Sequence, residues 1–184
     1  NNRIQYVQIA PEITIAAGST TGTITFTGID DTTDEAGETI IVTPSTSPTN
    51  ATSSISTAST ITITDDDDPP TVTFAFTAVL PDGEKPVSSI EENSSRDVTL
   101  TATLSQASEK AVSIPYTMSG TATITDEYTI TASPINIAAG ATTGTVTIST
   151  NGLDDTDVEP IETIILTFGT LVNATTITKD VTLN

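Results

Sequence analysis

Two stretches of this chain nearly repeat one another, so whatever it folds into must accommodate the same pattern twice. Residues 11–25 read PEITIAAGSTTGTIT and residues 133–147 read SPINIAAGATTGTVT. Gly18 falls on Gly140 and Tyr6 on Tyr128, both at an offset of 122 (140 − 18). The match runs on through GIDDTTDEAGETIIVT (28–43) and GLDDTDVEPIETIILT (152–167), now at an offset of 124 (154 − 30). Two repeats are visible, the first without its beginning and the second without its end. A length of 184 residues suits one large domain or two of modest size. The self-similarity selects two.

The boundary is placed by Asp65-Asp66-Asp67-Asp68-Pro69-Pro70. Paired prolines remove backbone donors and hold the link extended. Thr60-Ile61-Thr62-Ile63-Thr64 before it and Thr71-Val72-Thr73-Phe74-Ala75-Phe76 after it alternate apolar and polar, the period of a half-buried strand. The expected domains are therefore 1–68 and 69–184. The alternation recurs at Thr23–Thr27, Val98–Leu104, Thr145–Thr150 and Val181–Leu183. Thr39–Val42 and Thr163–Leu166 are more continuously apolar and belong to a sheet interior. Gly and Pro punctuate the strands at Gly18, Gly22, Pro81-Asp82-Gly83, Gly120, Gly140 and Gly144. No segment carries a helical stripe with caps, and many short strands predict an all-β sandwich.

Composition narrows the chemistry. Hydrophobic residues make up 35 % and aromatics 4 %, so the cores are built from Ile, Val and Leu, whose branched side chains favour strands. Cys and His are absent, which removes thiol and imidazole catalysis, disulfides and ordinary zinc sites. Abundant Ser and Thr have no His to activate them, and a glycosidase acid pair would lack an aromatic-lined cleft. The chain reads as no enzyme. With 24 acids against 5 bases, a net charge of −19 excludes a nucleic-acid footprint and is repelled by anionic membrane surfaces. No apolar run approaches the roughly 18 residues of a membrane helix, so direct membrane insertion is not expected. Strict Thr ladders such as TITFT could match ice or sugar surfaces, but Thr also fills the solvent face of half-buried strands.

The acids are clustered. Repeat two gathers them at Glu91-Glu92, Asp126-Glu127 and Asp154-Asp155-x-Asp157-x-Glu159, repeat one at Asp30-Asp31 with Asp34-Glu35 and at Asp65–Asp68. Adjacent like charges repel, so the clusters need an offset. Calcium takes six to eight oxygens in flexible geometry and suits such loops better than magnesium, which demands a stricter octahedron. Against this stand Asp residues that only hydrogen-bond their own turn and acids that only confer solubility.

The order of these elements resembles the Calx-β family: Glu92-Asn93, then Gly120-Thr121-Ala122 through Tyr128, then Ile137–Thr143, then Asp154–Glu162, and the terminal run Asp65–Asp68. The resemblance covers nearly the whole chain. It implies tandem immunoglobulin-like Greek-key β-sandwiches, with calcium held in loops at one end of each. Carried over, domain two would use Glu92, Glu127 (or Asp126), Asp154, Asp155 and Glu159 as metal ligands. Domain one would use Asp30, Asp31, Glu35, Asp65, Asp66 and Asp67. Gln5 stands where an acid is expected before Tyr6, and Asp126-Glu127 replaces a single Asp. Glu38 and Glu162, three residues after each loop Glu, are expected to point away or to brace the loop.

The expected function is architectural: a calcium-rigidified repeat of a large secreted or cell-surface adhesin or filament, located extracellularly. Its partners would be neighbouring repeats of the same chain, with host or abiotic surfaces reached through other domains. Thr-rich, Lys-poor edge strands leave lateral association between chains open. The alternatives are a metal-free stalk and a cytosolic calcium-sensing module.

Overall fold

A computed structural model describes residues 6–8, 12–44, 48–52, 57–80, 83–91, 96–150, 160–176 and 178–184. The described chain is all-β, in several sheets and with no helix among these residues. It divides into two compact units: residues 1–32 with 36–66, and residues 33–35 with 67–184.

Unit 2 contains β5 (Val72–Leu80), β6 (Gly83–Pro86), β7 (Val98–Leu104), β8 (Val112–Ile114), β9 (Tyr116–Gly120), β10 (Thr129–Ile130), β11 (Ile135–Ile137), β12 (Thr143–Ser149), β13 (Ile164–Phe168) and β14 (Asp180–Leu183). One sheet runs β10-β12-β7-β5-β6, a second β14-β13-β9, and β11 pairs with β8. All named pairs are antiparallel. Pro115 separates β8 from β9, so one extended stretch turns from one partner to another. Such a break suits a residue with no N–H for a ladder.

Alternation builds the core. Val98, Leu100, Ala102 and Leu104 on β7 are buried, as are Val146 and Ile148 on β12 and Ile164, Leu166 and Phe168 on β13. Residues of the five- and three-stranded sheets join one cluster. The rings of Phe74 on β5 and Phe168 on β13 stack with centroids 3.9 Å apart. The two sheets thus face one another, and each fully buried Leu or Ile contributes roughly 1.5–3 kcal/mol. The start of β5 also reaches the far side: Val72 N–H donates to Thr175 O (2.8 Å) and Thr175 N–H to Pro70 O (2.9 Å).

Unit 1 contains β1 (Tyr6–Gln8), β2 (Phe26–Gly28), β3 (Glu38–Val42) and β4 (Ser59–Ile63). Their pairing repeats that of unit 2. Val7 opposes Thr27 and Gln8 opposes Phe26, as Thr129 opposes Ser149 and Ile130 opposes Ile148, each shifted by 122 (129 − 7). Ile40 opposes Ile61 as Ile164 opposes Leu183. Gly18 and Gly140 both take positive φ, 85° and 78°, and Asn50 and Asn173 both take 58°.

The same sequence pattern nonetheless has two fates. Ile135 and Ile137 lie in β11 and are 2 % and 1 % exposed, whereas their counterparts Ile13 and Ile15 form no strand and are 51 % and 56 % exposed. Leu183 is fully buried, and Ile61 is 43 % exposed. In unit 2 these positions pack against β5 and β7–β9. The described part of unit 1 has no strands equivalent to those.

Candidate metal-binding loops

One end of unit 2 gathers four chain segments. After β9, Gly120 leads into a tight turn closed by Thr125 N–H donating to Tyr128 O (2.8 Å) and Glu127 N–H to Thr123 O (3.0 Å). Thr125 holds φ 75° there, a left-handed conformation that a β-branched residue adopts only when its surroundings enforce it. The Thr123 N–H donates to Oε2 of Glu127, so the carboxylate braces its own loop. Beyond β12, the buried Thr150 donates its hydroxyl to Glu91 O (2.8 Å). Beyond β14, Asn184 O accepts from Ile90 N–H (2.9 Å), and Asn184 N–H donates to Ser88 O (3.0 Å).

These segments border a half-open cavity of about 190 Å³ lined by Ile90, Ala122, Glu127, Tyr128, Thr150, Pro160, Glu162, Ile164 and Asn184. Glu127 lines it, whereas Asp126 is exposed and does not. Glu162 lines it too, although its place after the acidic loop gave no reason to expect that. Its position two residues before β13 aims it inward, because the buried Ile164 shares its face of the strand. Glu92, Asp154, Asp155 and Glu159 lie outside the described residues. Their described flanks, Glu91 and the pair Thr150 and Pro160, stand at this cavity or bonded to it.

In the first repeat, Asp30 and Asp66 are exposed, and Asp31, Glu35, Asp65 and Asp67 are half-buried. Asp30, Asp31, Asp65 and Asp66 belong to unit 1, Glu35 and Asp67 to unit 2. Among the described residues, these six included, no three carboxylates are grouped so as to hold a metal ion. Asp34, counted in the same acidic cluster, is 1 % exposed and belongs with unit 2. Lys110 Nζ lies 2.7 Å from its Oδ1, and the Ser108 hydroxyl donates to Oδ2 (2.8 Å). Glu109 N–H donates to Asp34 O (3.1 Å). A lysine therefore supplies the cation at this acid.

Burial pushes the Tyr116 phenol above its ordinary value, and its hydroxyl donates to Thr131 O. Burial, and then the adjacent Glu127 charge, pushes Tyr128 up as well. Both folded values exceed the unfolded value near 10. Their contribution to stability is complete below pH ~10 and lost as pH rises through the folded values. Two tyrosines should therefore ionise late, together with alkaline unfolding, when tyrosinate absorbance and circular dichroism are followed in one titration. Normal titration of both while the fold persists would contradict their burial.

No family model, curated protein or solved structure matches the chain.

Proposed function

We propose that the chain is a calcium-stiffened structural repeat of the Calx-β kind, from an extracellular adhesin or filament. Its sheets would then form immunoglobulin-like Greek-key sandwiches. The observation that carries this reading is the convergence on one cavity of Glu127, Glu162 and the anchored ends of the loop bearing Asp154, Asp155 and Glu159. Carboxylates that line one cavity repel each other, whereas calcium accepts carboxylate and carbonyl oxygens from several loops at once. Glu127 and Glu162 would contribute from the cavity lining, together with Asp154, Asp155, Glu159 and Glu92. The ion would supply charge neutralisation and a cross-link between strand ends.

Neighbouring repeats of the same chain are the natural partners of such a module, and a net charge of −19 keeps a long array soluble and self-repelling. Affinity should fall at about 10⁻⁴–10⁻³ M, the range of extracellular calcium modules. Calcium at a hundredfold excess over such a Kd stabilises by about 2.7 kcal/mol, a rise in Tm of roughly 5–10 °C. Thermal unfolding of the chain in calcium, in magnesium and in chelator measures this. The rise should appear with calcium alone and disappear in the double variant Glu127→Gln/Glu162→Gln. An equal Tm in all three solutions would leave a metal-free stalk, with Glu127 serving only as the brace of its turn.

A further inference from the structure

Three residues of the first repeat's acidic loop belong with unit 2. Thr33, Asp34 and Glu35 are covered, while Thr32 and Ala36 on either side are exposed. Asp34 is the centre of the contact and is 1 % exposed, as is Ser108. The Ser108 hydroxyl donates to Oδ2 (2.8 Å), Lys110 Nζ stands 2.7 Å from Oδ1, and Glu109 N–H donates to the Asp34 carbonyl oxygen (3.1 Å). Three consecutive residues of the β7–β8 connection thus meet one aspartate through side chain and backbone. Unit 2 fixes them by its own bonds: Gly140 N–H donates to Ser108 O (2.8 Å), and the Ser108 hydroxyl accepts from Lys110 N–H (3.0 Å). The repeat sets Asp34 apart from its neighbours. At the offset of 124, Asp30, Asp31 and Glu35 recur as Asp154, Asp155 and Glu159, whereas Asp34 falls on Val158. Asp34 is therefore not part of the acid pattern that the two loops share.

We propose that Ser108, Glu109 and Lys110 form a socket for the acidic loop of the preceding repeat, read through a single aspartate, with a lysine rather than a metal ion as the cation. The chemistry is that of a carboxylate site. An ammonium and a hydroxyl take one carboxylate oxygen each, and a backbone amide takes the carbonyl beside them. Burial makes the socket selective. A valine at position 34, the residue that the second repeat carries at 158, would leave the Ser108 hydroxyl and the Lys110 ammonium facing an apolar side chain. Polar groups stripped of their partner in a covered site disfavour such an occupant. Attachment of this loop segment is then independent of calcium. It does not rest on whether the cavity lined by Glu127 and Glu162 binds the ion.

Amide hydrogen exchange on the whole chain reads the socket directly at Glu109, whose N–H is bonded to the Asp34 carbonyl. Protection of this amide should be the same in calcium and in chelator. Asp34→Val should speed its exchange at least about tenfold and leave the amides of β7 and β12 unchanged. Protection of Glu109 that appears with calcium and vanishes in chelator would overturn the proposal. So would unchanged exchange at Glu109 in Asp34→Val. A loss spread equally over Glu109, β7 and β12 would overturn it as well, because Asp34 would then be a general support of the fold and not a docked residue.

Discussion

Gly120→Ala should destabilise unit 2 by about 3–5 kcal/mol, lowering Tm by roughly 10–20 °C, and should loosen the cavity-lining turn. Gly120 ends β9 at φ 126°, a conformation open to glycine and strained for an L side chain. A Cβ there would fall 2.0 Å from Thr163 O and 2.8 Å from the Thr163 carbonyl carbon. That obstacle is backbone in the segment leading into β13, so it cannot rotate aside. It is also held from the other side: Thr121 and Ala122 N–H groups donate to the same Thr163 carbonyl at 3.0 and 3.2 Å, and Thr163 N–H donates to the Thr121 hydroxyl at 3.0 Å. Moving Thr163 would break this set and disturb the adjoining Glu162, which lines the cavity. Gly140→Ala is the control. Its φ of 78° is also left-handed, but nothing lies within 4 Å of the added methyl. Only the local conformational term of ~1–2 kcal/mol should appear. Denaturant unfolding of both variants measures the difference; equal losses would mean that the close approach to Thr163 is unimportant.

Lys110→Met should cost about 2–4 kcal/mol, because it leaves the buried Asp34 carboxylate with its hydroxyl partner but without its cation. Removing one partner of a buried pair is more harmful than removing both. Lys110 is partly exposed, which places the estimate below that of a fully enclosed pair. The double variant Asp34→Asn/Lys110→Met should therefore recover part of the loss, and the double-mutant cycle should report a coupling of about 1–3 kcal/mol. Ser108 remains to hydrogen-bond the amide, since its hydroxyl reaches Oδ2 at 2.8 Å and is itself buried. Losses that simply add would identify the pair as a surface contact of little consequence.

Much of the fold was legible in the residues. Alternating stretches such as Val98–Leu104 and Thr145–Ser149 became strands, because branched apolar side chains every second position can bury one sheet face. The repeated text became repeated register, down to Val7 opposing Thr27 as Thr129 opposes Ser149. The clustering of acids was equally plain, but the surroundings of each acid were not. Asp34 looked like its neighbours Asp30 and Asp31, yet its partner Lys110 lies 76 residues away. Glu162, expected from its place to point away or to brace the loop, lines the same cavity as Glu127.

The sequence by itself determined the period of the strands, the repetition of the unit and the concentration of negative charge. All three follow from local side-chain chemistry and can be counted along the chain. Tertiary structure alone decided which acids share a cavity, which acid is neutralised by a lysine, and which partner strand covers a given alternating segment. Ile135 and Ile137 are enclosed and Ile13 and Ile15 are not, though the segments differ little. A strand is completed by its partner, and pairing and burial depend on chain that is distant in sequence.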